Sequence, residues 1–444
     1  MDEVLKQIYG MSKEQMEAYS KNIMLGGGTR GGPVLEKGKG VRVWDTTGKD
    51  YIDCTSQSWA LYLGYANDEI NQVIREHIEN MTHIHQGFDT KARFYLANKL
   101  VSKAPKGMDR VSFTVGGGPA IEAAMKICVK NVQPSRDFIC LFDSYHGTTL
   151  GSMGASWIST KSNGKYMGGS NFLSLTRPFI RIPNPNTYRN PFGVNTETYI
   201  DMCITMAREI FTHGIAGKPA GVIVETIQAS AGQLILPKRY LVELRKLCDE
   251  FETLLIFDEI QTFGRIGATF AANYFGVTPD IIVLGKGLGA GLPLACIIIS
   301  EKLKGFSPDT EELHTFANPT LSMVTAAKQL AMFESGVLDN CNKMGDYIGN
   351  KIKSMMKAYP EIGDVRQLGM HIGVEFVKDP ESKKPLPTET VAIRDAGLKN
   401  GIIFGLGGVL KNVLKVKPPL IINQAEADEV LMKFEKSVKA VFRK

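Results

Sequence analysis

The feature that most constrains this chain is a series of short, continuous apolar runs between about residues 65 and 300, each followed at once by glycine or polar residues. The runs are Val111-Ser112-Phe113-Thr114, Phe138-Ile139-Cys140-Leu141-Phe142, Gly221-Val222-Ile223-Val224, Leu254-Leu255-Ile256-Phe257, Ile281-Ile282-Val283-Leu284 and Ala295-Cys296-Ile297-Ile298-Ile299. Apolar character that does not alternate marks strands buried on both faces. Helical stretches lie between them, such as Ile121 to Lys130 and Leu241 to Phe251. The pattern predicts an α/β fold around a mostly parallel sheet.

The flanks read differently. Residues 1–22 are expected to form one polar amphipathic helix. Val41 to Trp44 and Tyr51 to Asp53, joined through Thr46-Thr47-Gly48-Lys49, predict a hairpin. The stretch 158–197 is rich in Ser, Asn, Pro and Arg and reads as a long functional excursion. A long helix from Met323 to Glu334, continuing toward Tyr359, leads to a strand at Gly373–Val377, a helix, a strand at Ile402–Phe404 and a final amphipathic helix. The expected division is 1–60 as an N-terminal helix and hairpin joining a small α+β domain, 61–324 as a large domain, and 325–444 as the C-terminal small domain.

Composition excludes several classes. A net charge of +6, without a block of Lys or Arg, argues against nucleic-acid and membrane-surface partners. No run of about 18 apolar residues is present, and the first ten residues hold no signal-type apolar segment. Seven cysteines, an odd number with no CxxC pair, are expected as free thiols in a reducing compartment. The expectation is a cytoplasmic protein with no membrane span. His83 and His85 sit at a spacing that some metals use, but no third ligand lies nearby in sequence. A surface or interface role is expected for them, and no metal.

In an open parallel sheet, ligands sit beyond the carboxyl ends of the strands. The residues there are Gly116-Gly117-Gly118, Ser144-Tyr145-His146-Gly147, Glu225, Asp258-Glu259 and Gly285-Lys286-Gly287. A glycine-rich turn that opens a helix offers bare N–H groups to a phosphate. A lysine can form an imine with an aldehyde, and an aspartate can keep a pyridine nitrogen protonated. That set fits pyridoxal 5′-phosphate.

The composite resembles the class III (ω-type) aminotransferases of fold type I over nearly the whole chain. The matching stretches are Leu255-Ile256-Phe257-Asp258-Glu259-Ile260-Gln261, Pro279-Asp280, Gly285-Lys286-Gly287-Leu288-Gly289, Tyr145-His146-Gly147, Thr315-Phe316-Ala317 and Val413-Leu414-Lys415-Val416-Lys417-Pro418-Pro419-Leu420. The resemblance implies a large domain with a mostly parallel sheet, a smaller α+β domain, and a homodimer with shared sites. It implies transfer of an amino group from a primary amine or amino acid to a 2-oxo acid through a Lys286 Schiff base. The alternative on the same scaffold is an amino-acid racemase or epimerase, and the sequence does not separate them.

By matching position, Lys286 is the imine lysine and proton shuttle, and Asp258 holds the pyridinium. Gln261 lies beside the phenolic oxygen, Gly117 and Gly118 contact phosphate, and Tyr145 covers the ring. His146 and Glu225 complete the cofactor set, with Thr315 reaching the phosphate of the neighbouring subunit. Trp59 and Lys415 are candidate substrate residues. The chain departs from the family in three places. Gly116-Gly117-Gly118-Pro119-Ala120 lacks the usual hydroxyl and glutamate. Lys415 stands where an arginine is frequent, and Gln261 to Arg265 is one residue short of the usual run.

Overall fold

A computed structural model describes residues 1–24, 32–162 and 164–443. Two seven-stranded sheets organise it. In chain order the strands that matter are β1 (Leu35–Lys39), β2 (Arg42–Asp45), β3 (Asp50–Cys54), β4 (Met108–Thr114), β5 (Phe138–Leu141), β6 (Ile180–Ile182), β7 (Gly221–Val224), β8 (Leu254–Asp258), β9 (Ile281–Leu284), β10 (Ala295–Ser300), β11 (Ile362–Leu368), β12 (His371–Phe376), β13 (Ile402–Gly407) and β14 (Val413–Val416).

The first sheet has the order β4-β10-β9-β8-β7-β5-β6. Its neighbours pair in parallel except around β10, which runs against both β9 and β4. All other strands therefore end at one edge. Every residue of β5, β7 and β9 is buried, which is why their sequences show no alternation. The second sheet, β1-β2-β3-β13-β14-β12-β11, joins the N-terminal hairpin to the C-terminal strands through parallel pairing of β3 with β13.

Three expectations need correction. The N-terminal helix is two helices, α1 (Glu3–Tyr9) and α2 (Lys13–Ser20), with no buried residue in either. Gly10 ends the first, and Ser12 starts the second with a capping box to Gln15. The excursion at 158–197 contains edge strand β6, and Asn184 just beyond it is buried, donating to Gln228 Oε1 at 2.7 Å. That part is structural. The long helix begins at Thr320 and is interrupted at Phe333–Val337, where Gly336 takes φ +105, before resuming at Leu338–Met355. Glycine in a helix interior costs about 1 kcal/mol relative to alanine, and the break falls there.

All seven cysteines are free and buried. No helix among the described residues is long and apolar enough to cross a membrane.

Candidate active site

At the shared edge, the ends of β4, β5, β7, β8 and β9 surround a cavity of about 210 Å³. Its lining includes Gly117, Gly118, Tyr145, His146, Glu225, Asp258, Gln261 and Lys286. These come from five separate strand ends, so the sheet itself brings them together.

The floor is the start of helix α3 (Gly117–Asn131). Gly116, its N-cap, makes no side-chain cap hydrogen bond. The first N–H groups of a helix have no intrahelical partner, and the dipole is positive there. A side chain here would have to push its neighbours aside. A Cβ on Gly118 would lie 2.8 Å from Thr149 Cγ2, and one on Gly117 would lie 2.9 Å from Ile260 Cδ1. The Thr149 hydroxyl is 3.0 Å from that same Gly118 position. A hydroxyl from the neighbouring loop thus lies where a side chain at 118 would begin. Thr148 and Thr149 also line the cavity, and sequence reasoning missed both. They follow Tyr145-His146-Gly147 directly, which is the signal that pointed to them.

On the opposite wall, β8 ends in Asp258. Its Oδ2 accepts from Nδ1 of buried His146 at 2.7 Å, and its Oδ1 accepts from the Ile260 N–H at 3.1 Å. With Nδ1 donating, Nε2 of His146 is left buried without a partner among the described residues. The adjacent Glu259 plays a different part. Its carboxylate accepts from the N–H groups of Ala271 and Ala272 at 2.6 and 2.8 Å and starts a short helix. Burial pushes its carboxyl up to about 7.

Strand β9 delivers Lys286, whose φ of +45 is unusual for a lysine. The loop is held from below. A Cβ on Gly287 would lie 2.2 Å from the Tyr62 ring, and Gln329 Nε2 donates to the Gly287 carbonyl at 2.7 Å. Only glycine permits that approach. Among the described residues the Lys286 amine has no hydrogen bond or ion pair. Burial lowers its proton affinity, while Asp258 and Glu225 act in the opposite sense. Glu225 accepts from the Tyr145 N–H at 2.9 Å and the Ala229 N–H at 3.3 Å. Burial, together with nearby Asp258, raises it to about 7 against the pull of His146.

Three candidates lie outside the lining. Thr315 is exposed on the loop before Thr320. Trp59 is half-buried in a turn, Ser56 to Trp59, whose four residues have φ between +44 and +70. Lys415 is buried on β14, 5.3 Å from the Trp59 ring centroid. Burial brings its amine down to about 8. Lys417, two residues on, is also fully buried, 4.3 Å from the same ring. His83 packs on Phe316 with ring centroids 5.0 Å apart.

These residues suit pyridoxal phosphate. An unpartnered amine shares the cavity with a buried carboxylate, and beside them a glycine helix start offers bare N–H groups. The class is a cofactor-binding α/β enzyme with its site at the carboxyl edge of the sheet. The chain matches the aminotransferase class-III family over residues 29–438 and belongs to it. It is a pyridoxal-phosphate-dependent aminotransferase.

The chain is 31% identical to an alanine/serine racemase of Pyrococcus horikoshii, over 96% of this chain and 90% of that one. It is 30% identical to a taurine–pyruvate aminotransferase of Bilophila wadsworthia, covering 93% of each. Among solved structures, the taurine:2-oxoglutarate aminotransferase of Bifidobacterium kashiwanohense, in complex with PLP and glutamate, superposes with a TM-score of 0.88. The two are 26% identical over 97% of this chain and 98% of that one.

Proposed function

We propose that Lys286 holds the cofactor and moves the substrate proton, that Asp258 holds a proton at the cofactor's ring nitrogen, and that the donor is a small amine bearing an acid group. The observation that carries this reading is the placement of the free Lys286 amine and the Asp258 carboxylate on one cavity, from adjacent strands. When bound, pyridoxal phosphate supplies an aldehyde for the donor amine and a ring that draws electrons from the adjacent carbon.

The protein's own groups do the rest. Gly117, Gly118 and the start of α3 would hold the phosphate, and Tyr145 would cover the ring. His146 fixes Asp258, and Gln261 and Glu225 would hold the cofactor's edge. Lys286 Nζ, with its proton affinity reduced by burial, takes the proton from the donor carbon and returns it elsewhere. Returning it to the opposite face of the same carbon is the racemase reaction, and the 31% identical racemase relative keeps that second reading in view.

Lys415 supports an acidic donor. With a value of about 8 it is mainly an ammonium at neutral pH, and among the described residues no carboxylate pairs with it. The taurine, alanine and serine in the relatives' names are all small amines with an acid group. The test is to incubate the wild-type enzyme with one donor and no keto acid. Stoichiometric carbonyl product, together with a change in bound-cofactor absorbance, is expected for small amino or aminosulfonic acids. Loss of optical activity without carbonyl product would move the chain to the racemase reading. Lys415→Met should raise KM for acidic donors by about tenfold or more, the worth of one hydrogen bond to a charged group. An equal rise for a neutral primary amine would remove Lys415 from donor recognition.

A homodimer belongs to the same proposal. Around exposed Thr315, Phe88 is 64% exposed, Leu313 50% and Phe316 61%. The Asn318 side chain donates to the Phe88 carbonyl at 2.9 Å, so these segments form one surface. Exposed aromatic groups of this kind mark interfaces. If Thr315 reaches the neighbouring subunit's phosphate, mixing Thr315→Val with Lys286→Ala protein yields hybrid dimers in which one site keeps both groups. Those sites should bind cofactor at wild-type strength and turn over. No recovered activity, with subunit exchange demonstrated, would exclude the shared site.

A further inference from the structure

Against Gln261 lies a dense group of buried polar side chains, none of them lining the cavity, that the proposed chemistry does not use. Lys417, Arg265, His371 and Gln233 are all buried completely. Lys417 Nζ donates to Gln261 Oε1 at 3.1 Å and to Gln233 Oε1 at 3.3 Å. His371 lies between the same two residues, with Nε2 2.7 Å from the Gln261 carbonyl and Nδ1 2.5 Å from Gln233 Oε1, and burial keeps its ring neutral, so it donates to one of the two. The main chain of Lys417 is pinned as well. Its N–H donates to the Cys54 carbonyl at 2.8 Å, and its carbonyl accepts from Ser56 Oγ at 2.8 Å. Arg265 Nη1 donates to the carbonyl of the next residue, Pro418, at 2.6 Å.

A lysine buried among glutamine oxygens, with no carboxylate bonded to it among the described residues, is expensive to keep. Burial, with Arg265 and Lys415 close by, pushes its amine well below the ordinary lysine range. An apolar residue would fill the space at less cost, so the amine must do something that a methyl group cannot. The amide it touches supplies the reason. A glutamine side chain can face either way, and its two ends differ in chemistry, one accepting and one donating. An amine keeps N–H donors in either protonation state, and here it meets the amide oxygen. The other end, Nε2, has no hydrogen bond among the described residues, and Gln261 lines the cavity.

We propose that Lys417 is a positioning residue: by donating to Oε1 it fixes the Gln261 amide so that the NH₂ group faces the cavity, ready to donate to an oxygen at the cofactor's edge. The inference rests on the reading of Gln261 given above. Lys417 acts on the cofactor only through Gln261, while the His371 ring packs against the Gln261 main chain.

The test compares Lys417→Met, Gln261→Ala and the double variant by two measures, the dissociation constant for pyridoxal phosphate and the absorption band of the bound cofactor. Each single variant should weaken binding about tenfold and shift the band, as loss of one hydrogen bond implies. The double variant should lose no more than either single one. Unchanged affinity and band in Lys417→Met, while Gln261→Ala moves both, overturns the proposal and leaves the site reading intact. So do losses that add in the double variant. No effect of Gln261→Ala removes both this inference and the role of Gln261. Should Lys417→Met not fold, Gln261→Glu decides. It keeps an oxygen against Lys417 as an ion pair and removes the NH₂ group. A raised melting temperature with weakened cofactor binding supports the proposal, and unchanged affinity and band overturn it.

Discussion

Lys286→Ala should yield a folded protein whose turnover falls by about 10⁴-fold, the upper range for loss of one proton-transferring group. Lys286 sits on a loop held by other residues, the Gln329 bond to Gly287 and the close contact of Tyr62 beneath it. Its own amine makes no bond among the described residues, so removing it breaks no hydrogen bond or ion pair of the fold. Two other buried lysines, Lys415 and Lys417, also have reduced proton affinity and could in principle react with an aldehyde. Only Lys286 of the three lines the cavity with Asp258. Borohydride reduction of the wild-type holoenzyme followed by peptide mapping should therefore find cofactor on Lys286. A label on Lys415 or Lys417, or turnover within tenfold of wild type in the alanine variant, would end the assignment.

How much was legible from sequence depended on what buried each segment. Strands covered on both faces are written as uninterrupted apolar runs, and Gly221–Val224 and Ile281–Leu284 match their runs residue for residue. Site residues at strand ends were legible for the same reason, since each follows a run. Strand β6 has only three residues, with Arg181 in the middle, so no run marks it. β11 reads Ile-Gly-Asp-Val-Arg-Gln-Leu, and its polar positions are half-covered by packing from other elements.

The segment Val413 to Val416 taught the opposite lesson. Leu414 and Val416 alternate with Lys415 and Lys417, which reads as a strand with one wet face. All four are buried. The lysine face is turned toward Trp59 and Gln261, and their packing over it hides what composition would place in water. No local pattern carries that information. The Thr149 hydroxyl beside Gly118 was hidden in a similar way, because it depends on how the loop after β5 folds back over α3.

Asp258→Asn should retain cofactor and lose turnover by about 10²–10³-fold, the cost typical of removing one preorganised electrostatic partner from an active site. Asparagine has nearly the same shape: its oxygen can still accept from the Ile260 N–H, and its NH₂ group can donate to His146 Nδ1 once the imidazole carries its proton on Nε2, so both bonds that fix residue 258 can be kept. The wall of the cavity should stand, and the helix start proposed to hold the phosphate lies elsewhere. What disappears is the negative charge. A neutral amide does not favour a proton on the ring nitrogen, and without it Lys286 must remove the substrate proton against a weaker pull. The loss should therefore appear in kcat, with cofactor affinity reduced far less. His146 supplies a control. It contacts Asp258 from the buried side, so His146→Gln should leave the charge in place and free its orientation, giving a smaller loss than Asp258→Asn. Near-normal kcat in Asp258→Asn, at full cofactor occupancy, would show that the carboxylate does not hold that proton.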